Sequence, residues 1–314
     1  MRGHILRGMK SLMLGLLACC WGWMSAGAEP MRVAALHPLM ADLARQVGGV
    51  RVEVFDLVGE GGNPHRFEPR PADMKQMQES AVVLAAGKNL EPYLGRLKES
   101  LDGVSVVDMG LTIPSLTVGK DEIYGEDEHH HAEGTVDPHW WQSVDNMRRA
   151  GRVVAQALAA KDPEGKDIYM KNSDAYGQHL DALKKWAKSE LSKVPREQRK
   201  LVTAHNAFAY FAKEFGFEVI AVAGLNQEQN TTPQEEARTI ETVKKAGVRA
   251  IFPETNTGGK AVDALSAATG VHLATPLISD GNGTGKDAGF EGMIRHNVTA
   301  ITQALGDEAL NFKH

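Results

Sequence analysis

The amino-acid sequence predicts an α/β protein made of two (β/α) lobes, each with a parallel sheet, joined by one long backbone helix. In both halves of the chain, short apolar and β-branched runs alternate with amphipathic segments. This alternation is typical of parallel sheets with right-handed crossovers. A single uninterrupted helical pattern lies between the two halves. The 314 residues suffice for two domains.

The first half is predicted to contain four strands, at residues 32–36, 51–58, 81–86 and 104–108. Amphipathic patterns at residues 39–47 and 71–79 predict helices between the first three strands. The second half repeats the scheme, with predicted strands at residues 200–204, 218–223, 249–253 and 272–276. Each half is therefore expected to form its own parallel sheet.

Two helices of the second half have clear start signals. A helix is predicted over residues 206–215, directly after the strand that ends near His205. Another is predicted to begin at Pro233, because Thr232 occupies the N-cap position and Glu235 completes a capping box. Gly247 lies just past its expected end.

The connecting helix is predicted over residues 163–194, with Asp162 as its N-cap. Its apolar positions recur at steps of three and four residues, which predicts one buried stripe. These positions are Tyr169, Asn172, Tyr176, Leu180, Leu183, Ala187 and Leu191. The predicted domains are a lobe at 29–162, this helix, and a lobe at 195–314.

The N-terminal residues resemble an export signal. Three basic residues precede an apolar run at 11–23, and small residues at 26–28 form a cleavage site. Residues 1–28 are therefore predicted to be a signal peptide that is cleaved near Ala28. An uncleaved anchor would need about 20 apolar residues. The alternative is a lipoprotein anchored at Cys19, through the string LLAC at 16–19. We expect a periplasmic protein.

Composition narrows the chemistry that the exported chain can use. Both cysteines, Cys19 and Cys20, lie in the predicted leader, so disulfides and thiolate metal sites are excluded and any metal must be bound by imidazole and carboxylate. The net charge of -5 argues against a nucleic-acid partner.

Four residues are candidate metal ligands. His65, His139 and His205 lie near predicted strand ends, and Asp280 follows the last predicted strand. Ligands gather at the carboxyl ends of strands in open α/β sheets, so these residues could converge between the lobes. Three imidazoles and one carboxylate suit tetrahedral zinc, whereas manganese prefers more oxygen ligands. Taken singly, a histidine at a strand end is more often a hydrogen-bonded structural residue than a metal ligand.

Three motifs strengthen this interpretation. The strings PHRFEPRPAD at 64–73, DPHWW at 137–141 and TAHNAFAYF at 203–211 resemble, in the same order, the metal-binding motifs of the zinc/manganese solute-binding proteins of ABC transporters. The resemblance extends over residues 31–305. It implies a helical-backbone metal receptor that is a monomer and not an enzyme. Such a receptor delivers its ion to a membrane permease and ATPase.

The resemblance also implies the ligands. The family's first three ligands fall on His65, His139 and His205, and its carboxylate ligand falls on Asp280. Manganese receptors of the family commonly have a glutamate at the third position, so His205 favours zinc; a manganese or iron receptor is the alternative. Asp280 precedes a glycine-rich stretch where the family usually has a serine and a hydrophobic residue. Glu254 or a water could therefore replace Asp280 as the fourth ligand. Glu254 fits better as an outer hydrogen-bond acceptor.

Other polar residues have less specific contexts. His37 is expected at the rim of the cleft or directly behind the ligands, rather than among them. The tract from Glu126 to His131 could collect zinc weakly or be a solvated loop. A zinc hydrolase would normally carry a His-Glu-x-x-His pair, which is absent, and an adhesin would need surface display through Cys19. Metal release is expected to involve the loop at 278–287.

The remaining histidines lack a supporting motif. His179, His272 and His296 lie in helix or strand patterns and are predicted to be structural.

Overall fold

The sheet of the first half has four parallel strands in the order β2-β1-β3-β4. The strands are β1 Met31–Ala35, β2 Val52–Asp56, β3 Val82–Ala85 and β4 Ser105–Asp108. Their crossovers carry the helices α1 Pro38–Gly48, α2 Pro71–Gln78 and α3 Leu94–Ser100. All four residues of β3 are buried, as expected for a central parallel strand covered on both faces.

The computed structural model describes residues 29–307 except for residues 60, 119–134, 225–231, 256–258 and 282. The predicted signal peptide with Cys19, and the tract from Glu126 to His131, lie outside the described residues. Two short antiparallel strands, β5 Thr117–Val118 and β6 Thr135–Val136, flank the second of these gaps. Among the helices that the structure describes, none has an apolar stretch able to span a membrane.

The sheet of the second half has three parallel strands in the order β8-β7-β9. These are β7 Lys200–His205, β8 Glu218–Ala223 and β9 Ile251–Phe252. The strand predicted at 272–276 is wrong: within this segment only Leu273 makes an isolated bridge, to Ile251, and Leu277 just after it makes another, to Glu254. Pro276 has no N–H to donate, so the ladder cannot continue through the segment.

The helices of the second half follow their start signals closely. Helix α7, Pro233–Ala246, has the predicted capping box, in which the Glu235 N–H donates to Thr232 Oγ1 at 3.3 Å, and Gly247 ends it in the left-handed conformation. Helix α6 is shorter than predicted, at Ala209–Phe215, because residues 206–208 form a turn. Helix α8 spans Lys260–Thr269 and helix α9 spans Gly289–Leu305.

Two long helices follow the first sheet along the chain and precede the second: α4, Val144–Lys161, and α5, Lys166–Leu191. They pack against each other. At about 1.5 Å per residue, the 26 residues of α5 extend roughly 39 Å. The predicted stripe of α5 is buried except for Asn172, which is half-buried and donates to the Val47 carbonyl at 3.0 Å. Asp162 accepts from the Gly165 N–H and so caps a short 3-10 turn before α5.

One hydrophobic core passes through both halves. The largest cluster of buried side chains joins α1 and α4 to α5 and continues to α6 and α9. Helix α9 returns to the first half, where Asp42 of α1 accepts from the Phe290 N–H at 2.9 Å. The predicted α/β fold class is confirmed. The division of the chain at residues 162 and 194 stays a prediction.

An ion-pair cluster couples α5 to the second half. Lys184 of α5 lies 2.6 Å from Asp145 Oδ2 and 2.9 Å from Glu214 Oε1, and Ser143 donates to the other oxygen of Glu214 at 2.5 Å. Burial alone would lower the pKa of Lys184, but its two carboxylate partners outweigh burial and the net shift is upward. The Glu214 side chain is only 6% exposed, so the lysine compensates a nearly buried charge.

We expect Lys184→Met to lower the free energy of unfolding of the metal-free protein by about 1 to 3 kcal/mol, because Glu214 would stay buried without its cation. Urea denaturation measures this change. The control is Lys185→Met at the next, exposed position, where we expect a change within about 0.5 kcal/mol. Equal effects of the two substitutions would contradict the coupling role.

Candidate metal centre

Four side chains from distant parts of the chain converge in one buried place. His65, His139, His205 and Asp280 each bring one potential ligand atom into a group whose members all lie within 4.8 Å of one another. Nε2 of His139 lies 3.2 Å from Nε2 of His65 and 3.2 Å from Nε2 of His205. Nε2 of His65 lies 3.4 Å from Asp280 Oδ1. The cluster is therefore as compact as one coordination shell.

His65 is positioned by a turn after β2. Asn63 accepts the His65 backbone N–H at 2.9 Å, and Pro64 begins the 3-10 turn Pro64–Arg66 that carries the imidazole. The fixed φ of the proline favours this turn. Local contacts of residues 63–66 thus fix the backbone that carries the His65 ring.

His139 is held by the aspartate two residues before it. Asp137 Oδ1 accepts the His139 backbone N–H and also lies 2.8 Å from the ring Nδ1. Tyr210 of α6 donates to the Asp137 carbonyl at 3.2 Å, which ties this loop to the second half. The Asp137 contact places the ring proton on Nδ1 and leaves the Nε2 lone pair facing the cluster.

His205 is the last residue of β7, and Glu254 holds it from a position two residues after the neighbouring strand β9. Glu254 accepts the His205 backbone N–H at 2.9 Å through Oε1, and its Oε2 lies 2.5 Å from the ring Nδ1. Both side chains are fully buried. As at His139, the carboxylate places the ring proton on Nδ1, so Nε2 is left as the ligand atom.

Asp280 is presented by a segment that is anchored in the core. Trp141 and Gln142 donate to the Ser279 carbonyl at 2.8 and 2.6 Å, and Asn297 of α9 bonds both the N–H and the carbonyl of Ile278. The expected release loop at 278–287 is therefore buried over residues 278–281 and exposed only over residues 284–286 among its described positions.

Gly281 is required directly after the aspartate. Its φ is +72°, and a Cβ there would lie 2.3 Å from Leu39 Cγ of α1. The departure from the family pattern at this position thus has a packing reason. Only glycine lets the chain pass so close to α1.

Burial and nearby charges shift the site groups in different directions. Burial lowers the pKa of His139, although Asp137 opposes this. Burial also acts to lower the pKa of His205, but Glu254 outweighs it and the net shift is upward. Burial acts to raise the pKa of Asp280, but the three surrounding imidazoles, led by His65, hold it well below its ordinary value. The aspartate is therefore ionised in this site.

The arrangement suits a tetrahedral metal ion. Bonds of about 2.0 to 2.1 Å place neighbouring ligand atoms about 3.3 Å apart in tetrahedral zinc sites. The three distances of 3.2, 3.2 and 3.4 Å match this value. A single proton can bridge only one pair of these nitrogens, whereas a metal ion placed between them binds all three.

Access to the cluster is one-sided. The His65 and Asp280 side chains are 7% and 2% exposed, whereas those of His139 and His205 are completely buried. A groove of about 400 Å³ begins at Gly281, the residue after Asp280. Its lining includes Asp42, Gly59 and Gly289. The small exposed surface of the four ligands therefore lies on the side of His65 and Asp280.

All four residues predicted as ligands come together, and Glu254 lies behind His205 as an outer acceptor. His37, predicted at the rim or directly behind the ligands, is fully buried beside Trp141, so it does not lie at the rim. The role of Asp137 was not predicted, although its position two residues before His139 is a local signal for such a contact. His179 forms an exposed ion pair with Glu291.

Comparison with known proteins identifies the family. Residues 33–304 match the family ZnuA, described as zinc-uptake complex component A, periplasmic. The chain belongs to this family. The resemblance inferred from the three motifs is thereby confirmed.

Curated relatives extend over nearly the whole chain. The manganese-binding lipoprotein MntA of Halalkalibacterium halodurans is 29% identical over 284 residues, which are 90% of this chain and 90% of that protein. The manganese ABC transporter substrate-binding lipoprotein PsaA of Streptococcus mitis is 27% identical over 297 residues, 92% of this chain and 94% of that protein.

Solved structures agree with the fold. The periplasmic zinc-binding protein TroA of Treponema pallidum is 26% identical, with a TM-score of 0.77 over 88% of this chain and 99% of that one. A manganese-bound periplasmic metal-binding protein of Candidatus Liberibacter asiaticus has the same fold, with a TM-score of 0.76 at 21% identity. This protein is a solute-binding receptor of a metal ABC transporter, not an enzyme.

We expect Glu254→Gln to weaken metal binding by about 10- to 100-fold. The neutral amide that replaces the carboxylate holds the Nδ1 proton of His205 less strongly. Titration against a chelator of known affinity measures this loss, and circular dichroism checks that the variant is folded. The control is Glu241→Gln on the exposed face of α7, which we expect to bind like the wild type. Wild-type affinity of Glu254→Gln would contradict the role of Glu254.

Proposed function

We propose that this receptor captures Zn²⁺ at His65, His139, His205 and Asp280 and delivers it to the membrane permease and ATPase of its transporter. The observation that carries the proposal is the ligand set: three imidazole Nε2 atoms and one carboxylate oxygen within 4.8 Å. Four nitrogen and oxygen ligands at tetrahedral spacing suit zinc, whereas Mn²⁺ favours more oxygen donors.

Manganese is the second candidate cargo. Its support is the naming of the relatives MntA and PsaA as manganese-binding proteins, against TroA, whose structure is titled as a zinc-binding protein. The ligand set argues against manganese here, since Glu254 contacts the outer Nδ1 of His205 and offers no further oxygen to the cluster. Zinc is therefore the better fit to the side chains of this chain.

The proposed location is outside the cytoplasmic membrane. The predicted leader at residues 1–28 supports export, with cleavage near Ala28. The relatives MntA and PsaA are named as lipoproteins, which supports the alternative of an anchor at Cys19. Both alternatives present the receptor to metal ions outside the cell and to a permease in the membrane.

We expect the purified, metal-stripped protein to bind one Zn²⁺ per chain far more tightly than Mn²⁺ in a competition with a chelator. His205→Ala should lose this tight binding, because the ligand atom and its Glu254 contact are removed together. Exposed His179→Ala is the matched control and should bind as the wild type does. Preferential Mn²⁺ binding would refute the zinc proposal, and binding that survives in His205→Ala would refute the site.

We expect zinc affinity to fall as the pH falls, because a protonated imidazole cannot bind the ion. The pKa of His205 is raised, so its proton begins to compete above the ordinary imidazole value of about 6.5. The pKa of His139 is lowered, so its proton competes only at lower pH. Chelator competition from pH 8 to 5 should show a loss of affinity that steepens below about pH 6. A flat profile would contradict binding by imidazole.

A further inference from the structure

Tyr210 of α6 is a buried tyrosine whose hydroxyl contacts the other half of the chain. It belongs to the motif around the ligand His205. Its oxygen accepts the Leu116 N–H at 2.9 Å and lies 3.2 Å from the Asp137 carbonyl oxygen. A third contact, to the Pro114 carbonyl, is longer at 3.4 Å. The phenol therefore joins the helix that follows His205 to the loop that contains Asp137.

The hydroxyl of Tyr210 acts as donor and acceptor together. Burial raises the pKa of Tyr210 to about 12, so the hydroxyl keeps its proton at physiological pH. A phenol has one proton to donate and can accept a hydrogen bond at the same time. The Leu116 N–H donates to this oxygen, and the Asp137 carbonyl is the nearer of its two carbonyl acceptors. The hydroxyl thus connects an N–H of one segment to a carbonyl of another.

This hydroxyl occupies a place in a β ladder. Strands β5 and β6 pair antiparallel with Thr117 opposite Val136. The same register places Leu116 opposite Asp137, and the Asp137 N–H donates to the Leu116 carbonyl at 2.9 Å. A hydrogen-bonded pair in an antiparallel ladder normally exchanges a second backbone bond in return. Here Tyr210 replaces the return bond, so a side chain of the second half is inserted into a ladder of the first half.

The residue held by this bridge orients a metal ligand. Asp137 Oδ1 accepts the His139 backbone N–H and contacts the ring Nδ1, both at 2.8 Å. The side chains of both residues are completely buried. A shift of the Asp137 backbone would therefore move the contact that keeps the ring proton on Nδ1 and presents Nε2 to the ion.

We propose that Tyr210 is a positioning residue of the metal site: its hydroxyl holds Asp137 in the place from which that residue orients the ligand His139. This inference rests on the proposed function, in which His139 binds the zinc ion. Tyr210 does not contact the ion and acts through Asp137. It makes the orientation of a ligand in the first half depend on the helix that follows His205 in the second half.

Three substitutions isolate the hydroxyl bridge. Tyr210→Phe removes the hydroxyl and keeps the ring. The Leu116 N–H and the Asp137 carbonyl then lose their partner or close directly on each other, and either change displaces Asp137. Asp137→Asn weakens the contact to His139 itself and is the reference for an effect that passes through this residue. The control is Tyr176→Phe in α5, whose buried hydroxyl has no hydrogen-bond partner among the residues that the structure describes.

The first measurement is the Zn²⁺ affinity of the purified, metal-stripped protein, by competition with a chelator. We expect Tyr210→Phe to weaken binding by about 3- to 10-fold, the change expected from the loss of one hydrogen bond. Asp137→Asn should weaken it by about 10- to 100-fold, and the double variant should lose no more than Asp137→Asn does. Tyr176→Phe should bind as the wild type does. Losses that multiply in the double variant would show that Tyr210 does not act through Asp137 and would overturn the inference.

The second measurement is the proton NMR signal of the imidazole Nδ1–H groups in the zinc-loaded protein. His139 and His205 should each give such a signal, because each Nδ1 faces a buried carboxylate. Asp137→Asn and Glu254→Gln assign the two signals. We expect Tyr210→Phe to shift the His139 signal or to speed its exchange with water, and to leave the His205 signal in place. Equal changes in both signals would indicate a general loosening and would contradict the positioning role.

The outcomes distinguish the inference from the function on which it rests. A wild-type protein without tight, one-to-one Zn²⁺ binding refutes the proposed function and the inference with it. A zinc-binding wild type whose Tyr210→Phe variant keeps both the affinity and the His139 signal refutes the role of Tyr210 alone. An affinity loss in Tyr176→Phe as large as that in Tyr210→Phe would assign the loss to helix packing rather than to the hydroxyl bridge, and it would also overturn the inference.

Discussion

The structure depends on three carboxylates that lie close to three buried imidazoles. Asp137 and Glu254 are completely buried against His139 and His205, and Asp280 is 2% exposed beside His65. Carboxylates removed from water need a compensating charge, and imidazoles of ordinary pKa provide one only by taking up protons. A divalent cation provides it better, because all the inward-facing nitrogens can then stay neutral. The site is thus organised for an ion before the ion arrives.

Rigid connections hold this arrangement across both halves of the chain. The indole of Trp141 and the amide of Gln142, next to one ligand loop, donate to the Ser279 carbonyl beside Asp280 in the other. One hydrophobic core continues through α5, and Asp42 of α1 caps α9. A wide hinge opening would have to break these buried contacts together. A local movement near His65 and Asp280 would break fewer of these contacts and still release the ion. Among the described residues, the only exposed ligand surface lies there.

Selectivity in such a site has two physical sources. The first is the identity of the ligand atoms, and three imidazoles with one carboxylate favour zinc over a cation that seeks oxygen. The second is the set of outer contacts that fix how each ligand is presented. Asp137 and Glu254 set the orientation of two histidines, and Ser279 occupies the second oxygen of Asp280. Relatives of this family are named for manganese or for zinc, so the family fold does not by itself set the metal.

The sequence by itself determined the elements and the ligand candidates, because those signals are local. Periodicity predicted α5, the Thr232 capping box predicted α7, and the motifs around His65, His139 and His205 marked residues whose neighbours orient them. Tertiary structure decided what depends on distant contacts. It showed that Pro276 stops a fourth regular strand in the second sheet, that Leu39 of α1 demands Gly281, and that Glu254 contacts the far nitrogen of His205. Convergence over separations of 74 and 66 residues is set by packing, which no local pattern encodes.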